Sequence, residues 1–136
     1  MALVCGVNNR AQIIYEDGYK RRGEPTEAAL KVFAEKLGRY DATNPVSDQK
    51  RFPMGYSENL MQGVETVCTL EFSAERKCMS TVVKGYLGKK NNQVLMKGAP
   101  EMVLDKCDKT LNQKGEQPMN DKMRDDLKAQ IKKVAS

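Results

Sequence analysis

The stretch VETVCTLEFSAERKCMSTVVKGY, residues 64–86, decides how this chain is read. Val64, Thr66, Cys68, Leu70 and Phe72 alternate with Glu65, Val67, Thr69 and Glu71, the period of two expected of a strand. Ser73 to Lys77 is polar enough to turn, and the run from Cys78 to Tyr86 is again rich in strand formers. Gly88 to Asn92 forms a second polar break, and Gln93 to Lys97 predicts a third strand. Three strands joined by short links form an antiparallel meander. An aromatic, Phe72, stands at the head of the first of those links and two cations, Arg76 and Lys77, lie within it, which is unusual for a plain connection.

Outward from the meander the period changes. In GEPTEAALKVFAEKLG, Leu30, Phe33, Ala34 and Leu37 recur at i, i+3, i+4 and i+7, predicting a helix from about 25 to 37 with those residues on one face. Pro25 suits the first helical position, Glu27 the positive end of the helix dipole, and Gly38 a left-handed cap. Pro100 opens a second helix carrying Val103, Leu104 and Cys107. Asn120 can cap a third, with Met123, Leu127, Ile131 and Val134 on one side. Ala2–Cys5 and Ile13–Tyr15 are short apolar patches of either type, and Asp17-Gly18 signals a turn. Residues 38–63, broken by Asn44-Pro45, Pro53 and Gly55, read as an excursion with a short helix over Ser57–Met61. The order is strand-like, helix, excursion, three strands, helix, loop, helix. Hairpin-linked strands flanked by helices give an α+β fold rather than a doubly wound sheet.

Composition bounds the chemistry. The chain has 136 residues, 40% hydrophobic and 30% charged, enough for one domain with a core. It contains no histidine, which removes Ser-His-Asp and Cys-His catalysis. Cys5, Cys68, Cys78 and Cys107 are scattered and form no CxxC pair, so reduced thiols are expected rather than zinc or disulfides. The net charge of +5 is spread over Lys20-Arg21-Arg22, Lys89-Lys90 and Lys132-Lys133, the pattern of a solvated surface. A basic module binding nucleic acid or a partner protein is the alternative that this charge leaves open. No run approaches the ~20 apolar residues of a membrane span, and no secretory leader is recognisable. A Walker A loop is absent as well.

Three segments carry a more specific signal: GEPTEAAL at 23–30, EFSAERKCMS at 71–80 and MKGAPE at 96–101. In order and wording they resemble the nucleotide-binding domain of P-type ATPases, with the wording nearest to calcium pumps of the sarco/endoplasmic reticulum type. The resemblance runs from about Ala2 to the final helix. It implies one nucleotide-binding domain over residues 1–136, excised from a larger membrane pump, with ATP as ligand and Mg2+ accompanying it in the intact pump. Phe72 would stack on adenine, and Glu27, with Thr26 beside it, would face the adenine amino group. Lys97 would line the pocket floor, Gly98 and Ala99 would let the ligand approach, and Lys77 and Met79 would lie along the nucleotide. Ser73 and Glu24 are weaker candidates. Ala74 departs from the family, which often has arginine there.

The resemblance also implies phosphorylation and actuator domains as partners, no nucleic acid, and no membrane insertion by this segment. The parent would sit with this part on the cytosolic face of an endoplasmic-reticulum-type membrane. The family's phosphorylated Asp-Lys-Thr-Gly-Thr motif is missing here. No residue is therefore expected to be catalytic, and the segment alone is expected not to hydrolyse ATP. The residue chemistry suits these roles: a flat apolar ring stacks a base for roughly 1–3 kcal/mol, and lysines supply charge to a polyanion without demanding fixed geometry.

Overall fold

The computed structural model describes residues 1–40, 48 and 50–135. The expected break at Asn44-Pro45 lies outside the described residues. In chain order the elements are α1 (Ala2–Val7), β1 (Gln12–Tyr15), β2 (Tyr19–Arg22), α2 (Pro25–Gly38), α3 (Gly55–Gln62), β3 (Glu65–Leu70), β4 (Cys78–Lys84), β5 (Gln93–Gly98), α4 (Pro100–Leu104), β6 (Lys109–Asn112), β7 (Gly115–Pro118) and α5 (Asp121–Ala135). The α+β class follows. Among the described residues the strands form three separate sheets, ordered β1-β2, β3-β4-β5 and β6-β7, where the sequence suggests one. All three strand pairings with a resolved register are antiparallel.

The chain divides into two compact units, Met1–Leu70 with Ser80–Met96, and Glu71–Met79 with Lys97–Ser136. In the first, α1, α2 and α3 pack on one another. Leu3 and Val7 of α1 meet Val83 and Leu95 of the sheet, and Val4, Leu60, Val64 and Tyr86 close around them. A smaller cluster joins Ala11, Ile13 and Ala28, with Met54 against it. Asn8, fully buried, stitches the end of α1 to the sheet. Its Nδ2 donates to the Leu95 carbonyl at 3.1 Å, and its Oδ1 accepts from the Thr81 hydroxyl at 2.9 Å. Each polar atom so paired avoids the cost of burial without a partner.

Helix α2 forms where the sequence places it but turns another face inward. Ala28, Lys31, Ala34, Glu35 and Gly38 are buried, whereas Phe33 and Leu37 are exposed. Charge at two helix ends explains the inversion. Lys31 Nζ donates to the Gly6 carbonyl at 2.6 Å in the last turn of α1. The Glu35 carboxylate accepts from the backbone N–H groups of Tyr56 and Ser57 at 3.0 and 2.9 Å and from the Ser57 hydroxyl at 2.6 Å. A cation at a helix C-terminus and an anion at a helix N-terminus are the favourable polarities. Gly38 has no left-handed role: it is the last helical residue, and a Cβ there would overlap the Tyr56 ring.

The strand over residues 64–72 is also corrected. Observed β3 is shorter, and its register slips between Thr66 and Cys68, leaving Val67 as the extra residue of a bulge. The alternation therefore changes face midway. Val67 and Leu70 are exposed, while Thr69 is half-buried with its hydroxyl 3.4 Å from that of Thr81. Central β4 is buried on both faces, as its apolar run suggests. In the first unit, Asp17-Gly18 does form a turn, with φ of 53° and 136°, and β2 pairs back on β1 beyond it.

In the second unit, Asn120 caps α5 through Oδ1, which accepts the Met123 N–H at 2.8 Å. The Arg124 guanidinium donates to the carbonyl of Leu104, the last residue of α4, and to that of Cys107 beyond it, the second at 2.7 Å. Lys128 pairs with Asp105 at 3.1 Å. The expected loop before α5 contains the hairpin β6–β7, turning at Gln113-Lys114, with Gly115 opening β7 at φ 98°.

Candidate functional site

The link between β3 and β4 is a tightly tied turn. Ser73 accepts twice: its carbonyl takes the Lys77 N–H at 2.8 Å and its Oγ takes the Arg76 N–H at 3.2 Å. The Arg76 guanidinium folds back to donate to the Glu71 carbonyl. Arg76 thereby contributes a guanidinium N–H to the turn. Lys77 leaves the turn in the left-handed region at φ 49°, an uncommon conformation for a residue with a Cβ.

The turn is fastened to the end of β5. The Ala99 N–H donates to the Lys77 carbonyl at 2.9 Å. A Cβ on Gly98 would overlap that carbonyl and lie 2.7 Å from Cys78 Cα. The close neighbour of Gly98 in the structure is the Lys77–Cys78 backbone. Ala99 then serves as the N-cap position of α4, with Pro100 behind it.

This stapling brings Phe72, Ser73, Lys77, Lys97, Gly98 and Ala99 into one part of the second unit. Phe72 is 62% exposed, so it is not a core residue. Lys77 is exposed and Lys97 half-buried. Met79 differs: it is 3% exposed. Thr26 and Glu27 belong to the first unit. There Thr26 is exposed at the start of α2. Glu27 Oε2 accepts the Arg10 N–H at 2.8 Å, and its carbonyl accepts from Asn9 Nδ2 at 2.7 Å. Glu24 is exposed and forms the N-cap position of α2 without a side-chain cap bond. Sequence reasoning missed the structural tasks of Gly98 and Glu27 because both depend on neighbours far away in the chain.

The second unit thus presents an exposed aromatic ring on a fixed turn, with two lysines on the same stapled segments. That arrangement suits a flat apolar group attached to a polyanion. Comparison with known proteins agrees with the class. The chain matches the family described as P-type ATPase, cytoplasmic domain N, over residues 1–136, and it belongs to that family.

Its relatives are calcium pumps. It is 38% identical over 117 residues to the endoplasmic reticulum calcium ATPase srcA of Aspergillus fumigatus, covering 79% of this chain and 11% of that protein. Identity to calcium-transporting ATPase 2, endoplasmic reticulum-type, of Arabidopsis thaliana is 34% over 119 residues, 78% of this chain and 11% of the relative. For the type 4 enzyme of the same plant it is 35% over 107 residues, 78% and 10%. The chain spans about a tenth of the length of these relatives. Among the described residues no helix is long and apolar enough to cross a membrane.

Proposed function

We propose that residues 1–136 act as one ATP-binding domain of a P-type calcium-transporting ATPase on the cytosolic face of an endoplasmic-reticulum-type membrane. In the intact pump the domain positions ATP for phosphoryl transfer to an aspartate on the phosphorylation domain, and the actuator domain completes the cycle. Its contribution to rate is proximity. The observation that carries the proposal is the exposed Phe72 ring on a turn stapled to Lys97–Ala99.

Phe72 is assigned to the adenine face, and Lys77 and Lys97 to the phosphates. Ser73 is assigned to holding the turn, through the two bonds it accepts. Gly98 and Ala99 are assigned to fastening it. Thr26 and Glu27 keep the adenine-facing role that the motif resemblance gives them, as a proposal to be tested with their own variants. Among the described residues no three His, Cys, Asp or Glu side chains converge as a metal site. No residue is therefore assigned to Mg2+, which would enter on the triphosphate and neutralise part of its charge.

One stacked base with a few solvated polar contacts leaves about 4–5 kcal/mol, a Kd near ~1 mM. The test is a titration of the amide spectrum with ATP, adenosine and inorganic triphosphate. The expected result is that ATP and adenosine both shift Phe72 and its neighbours, while triphosphate alone shifts chiefly Lys77 and Lys97. Equal shifts from ATP and triphosphate, with none from adenosine, would reject the base-stacking role and favour a generic polyanion surface.

A further inference from the structure

The backbone on either side of Phe72 is bonded to one and the same residue. Phe72 stands two residues beyond the last pair of the β3–β4 register, Leu70 with Ser80. The peptide unit that enters it contains the Glu71 carbonyl, and the Arg76 guanidinium donates to that carbonyl. The residue that follows it is Ser73, whose Oγ accepts the Arg76 N–H at 3.2 Å. Half-buried Arg76 thus reaches both neighbours of Phe72, one through its side chain and one through its backbone.

Two further bonds fix the far end of the same link. The Lys77 N–H donates to the Ser73 carbonyl at 2.8 Å, closing an α-turn, and the Lys77 carbonyl accepts the Ala99 N–H at 2.9 Å. The link is therefore tied to itself and to the segment that bears Lys97. A glutamine at position 76 would keep the backbone bond to Ser73 and lose the guanidinium that reaches Glu71. A residue placed in this way acts on Phe72 through the direction of the backbone, and a backbone ordered before binding need not be ordered by it. A cation on the ligand acts instead on the phosphates. The two roles are separable, because the first concerns the base and the second the charge.

We propose that Arg76 is a positioning residue for nucleotide binding: its two bonds hold the backbone around Phe72 in the direction that presents the ring to adenine, and its charge does not select the phosphates. The inference rests on the nucleotide reading of Phe72 and names the residue that prepares that site.

The test uses the full chain, with ATP and inorganic triphosphate titrated into the parent, Arg76→Gln, Ser73→Ala and Ser73→Thr and followed by amide shifts. Arg76→Gln removes the bond to Glu71, and Ser73→Ala removes the bond to the Arg76 N–H without changing the charge. Each is expected to weaken ATP about fivefold, the scale of ordering one residue's backbone on binding, and to leave triphosphate within about twofold. Ser73→Thr keeps the hydroxyl and should bind ATP within about twofold of the parent. Faster hydrogen exchange at Lys77 is expected in the two weakened variants, with the amide signals of Leu3 and Val83 in the first unit unmoved. Equal loss of ATP and triphosphate in Arg76→Gln overturns the inference, since that is the signature of a phosphate-binding cation. Unchanged ATP affinity in either Arg76→Gln or Ser73→Ala overturns it as well. Adenosine added to the parent tells the two levels of failure apart. No shift at Phe72 rejects the base reading and this inference with it, whereas a shift there beside an unaffected Arg76→Gln rejects the positioning role alone.

Discussion

Phe72→Ala separates a ligand platform from a core residue, because the two roles predict opposite pairs of effects. A Phe buried in a core costs about 3–5 kcal/mol when truncated. Phe72 keeps 62% of its surface exposed. The covered two-fifths of a side chain whose full burial contributes about 1.5–3 kcal/mol amounts to roughly 0.6–1.2 kcal/mol. For a chain of this length that lowers the melting temperature by about 2–4 °C. The ATP affinity should respond far more. Loss of one base stack, roughly 1–3 kcal/mol, corresponds to a fall of about five- to 150-fold, taking a millimolar Kd out of the measurable range or close to it. Phe72→Tyr keeps the ring and should stay within about threefold of the parent, whereas Phe72→Leu keeps apolar area without a π face and should resemble Ala. The assays are a thermal melt and an ATP titration followed by amide shifts on the same samples. A melt lowered by 10 °C or more, or a Phe72→Ala protein that binds ATP as the parent does, refutes the reasoning.

Three further outcomes are expected. Gly98→Ala should lower stability by about 1–3 kcal/mol and shift the Lys77 and Ala99 amide signals, since its Cβ would meet the Lys77 carbonyl and Cys78 Cα; unmoved signals in a thermal and amide comparison contradict this. Glu35→Ala should destabilise by about 2–4 kcal/mol by leaving the start of α3 uncapped, with Glu35→Gln losing less, and hydrogen exchange at Tyr56 and Ser57 is the readout. The chain mixed with Mg2+ and ATP should release no phosphate above buffer in a coupled assay, and a turnover rate lost in Phe72→Ala would overturn the assignment of no catalytic residue.

The elements were legible where a local rule governs them. Pro25 and Pro100 open helices because their fixed φ and missing N–H suit a first turn. Asn120 caps α5 through an oxygen three residues from its partner. What could not be read was decided by residues far apart in sequence. The i, i+3, i+4, i+7 pattern of Leu30, Phe33, Ala34 and Leu37 predicts the wrong inner face for α2, because Lys31 and Glu35 each find a helix end to neutralise. A buried charge reads as surface until its partner is known. The bulge at Val67 inverts the face of β3 for a related reason, since one inserted residue leaves no trace in composition. Hairpin β6–β7 is short and polar.

The site divides along the same line. Phe72, Lys77 and Lys97 were legible as residue types at motif spacing, and their exposure is compatible with the proposed roles. Exposure by itself discriminates little, since Phe33, Phe52 and Tyr40 are also exposed. The turn beneath Phe72 is what sets it apart. Ser73, Arg76 and Glu71 tie the turn to itself, and the Lys77 carbonyl ties it to Ala99. Lys77 meanwhile holds a left-handed conformation that a looser link would relax. A turn backbone fixed in this way loses little conformational freedom when a ligand binds beside it. Arg76, half-buried, donates to the Glu71 carbonyl within the turn, and the proposed reading therefore assigns the polyanion's charge to Lys77 and Lys97.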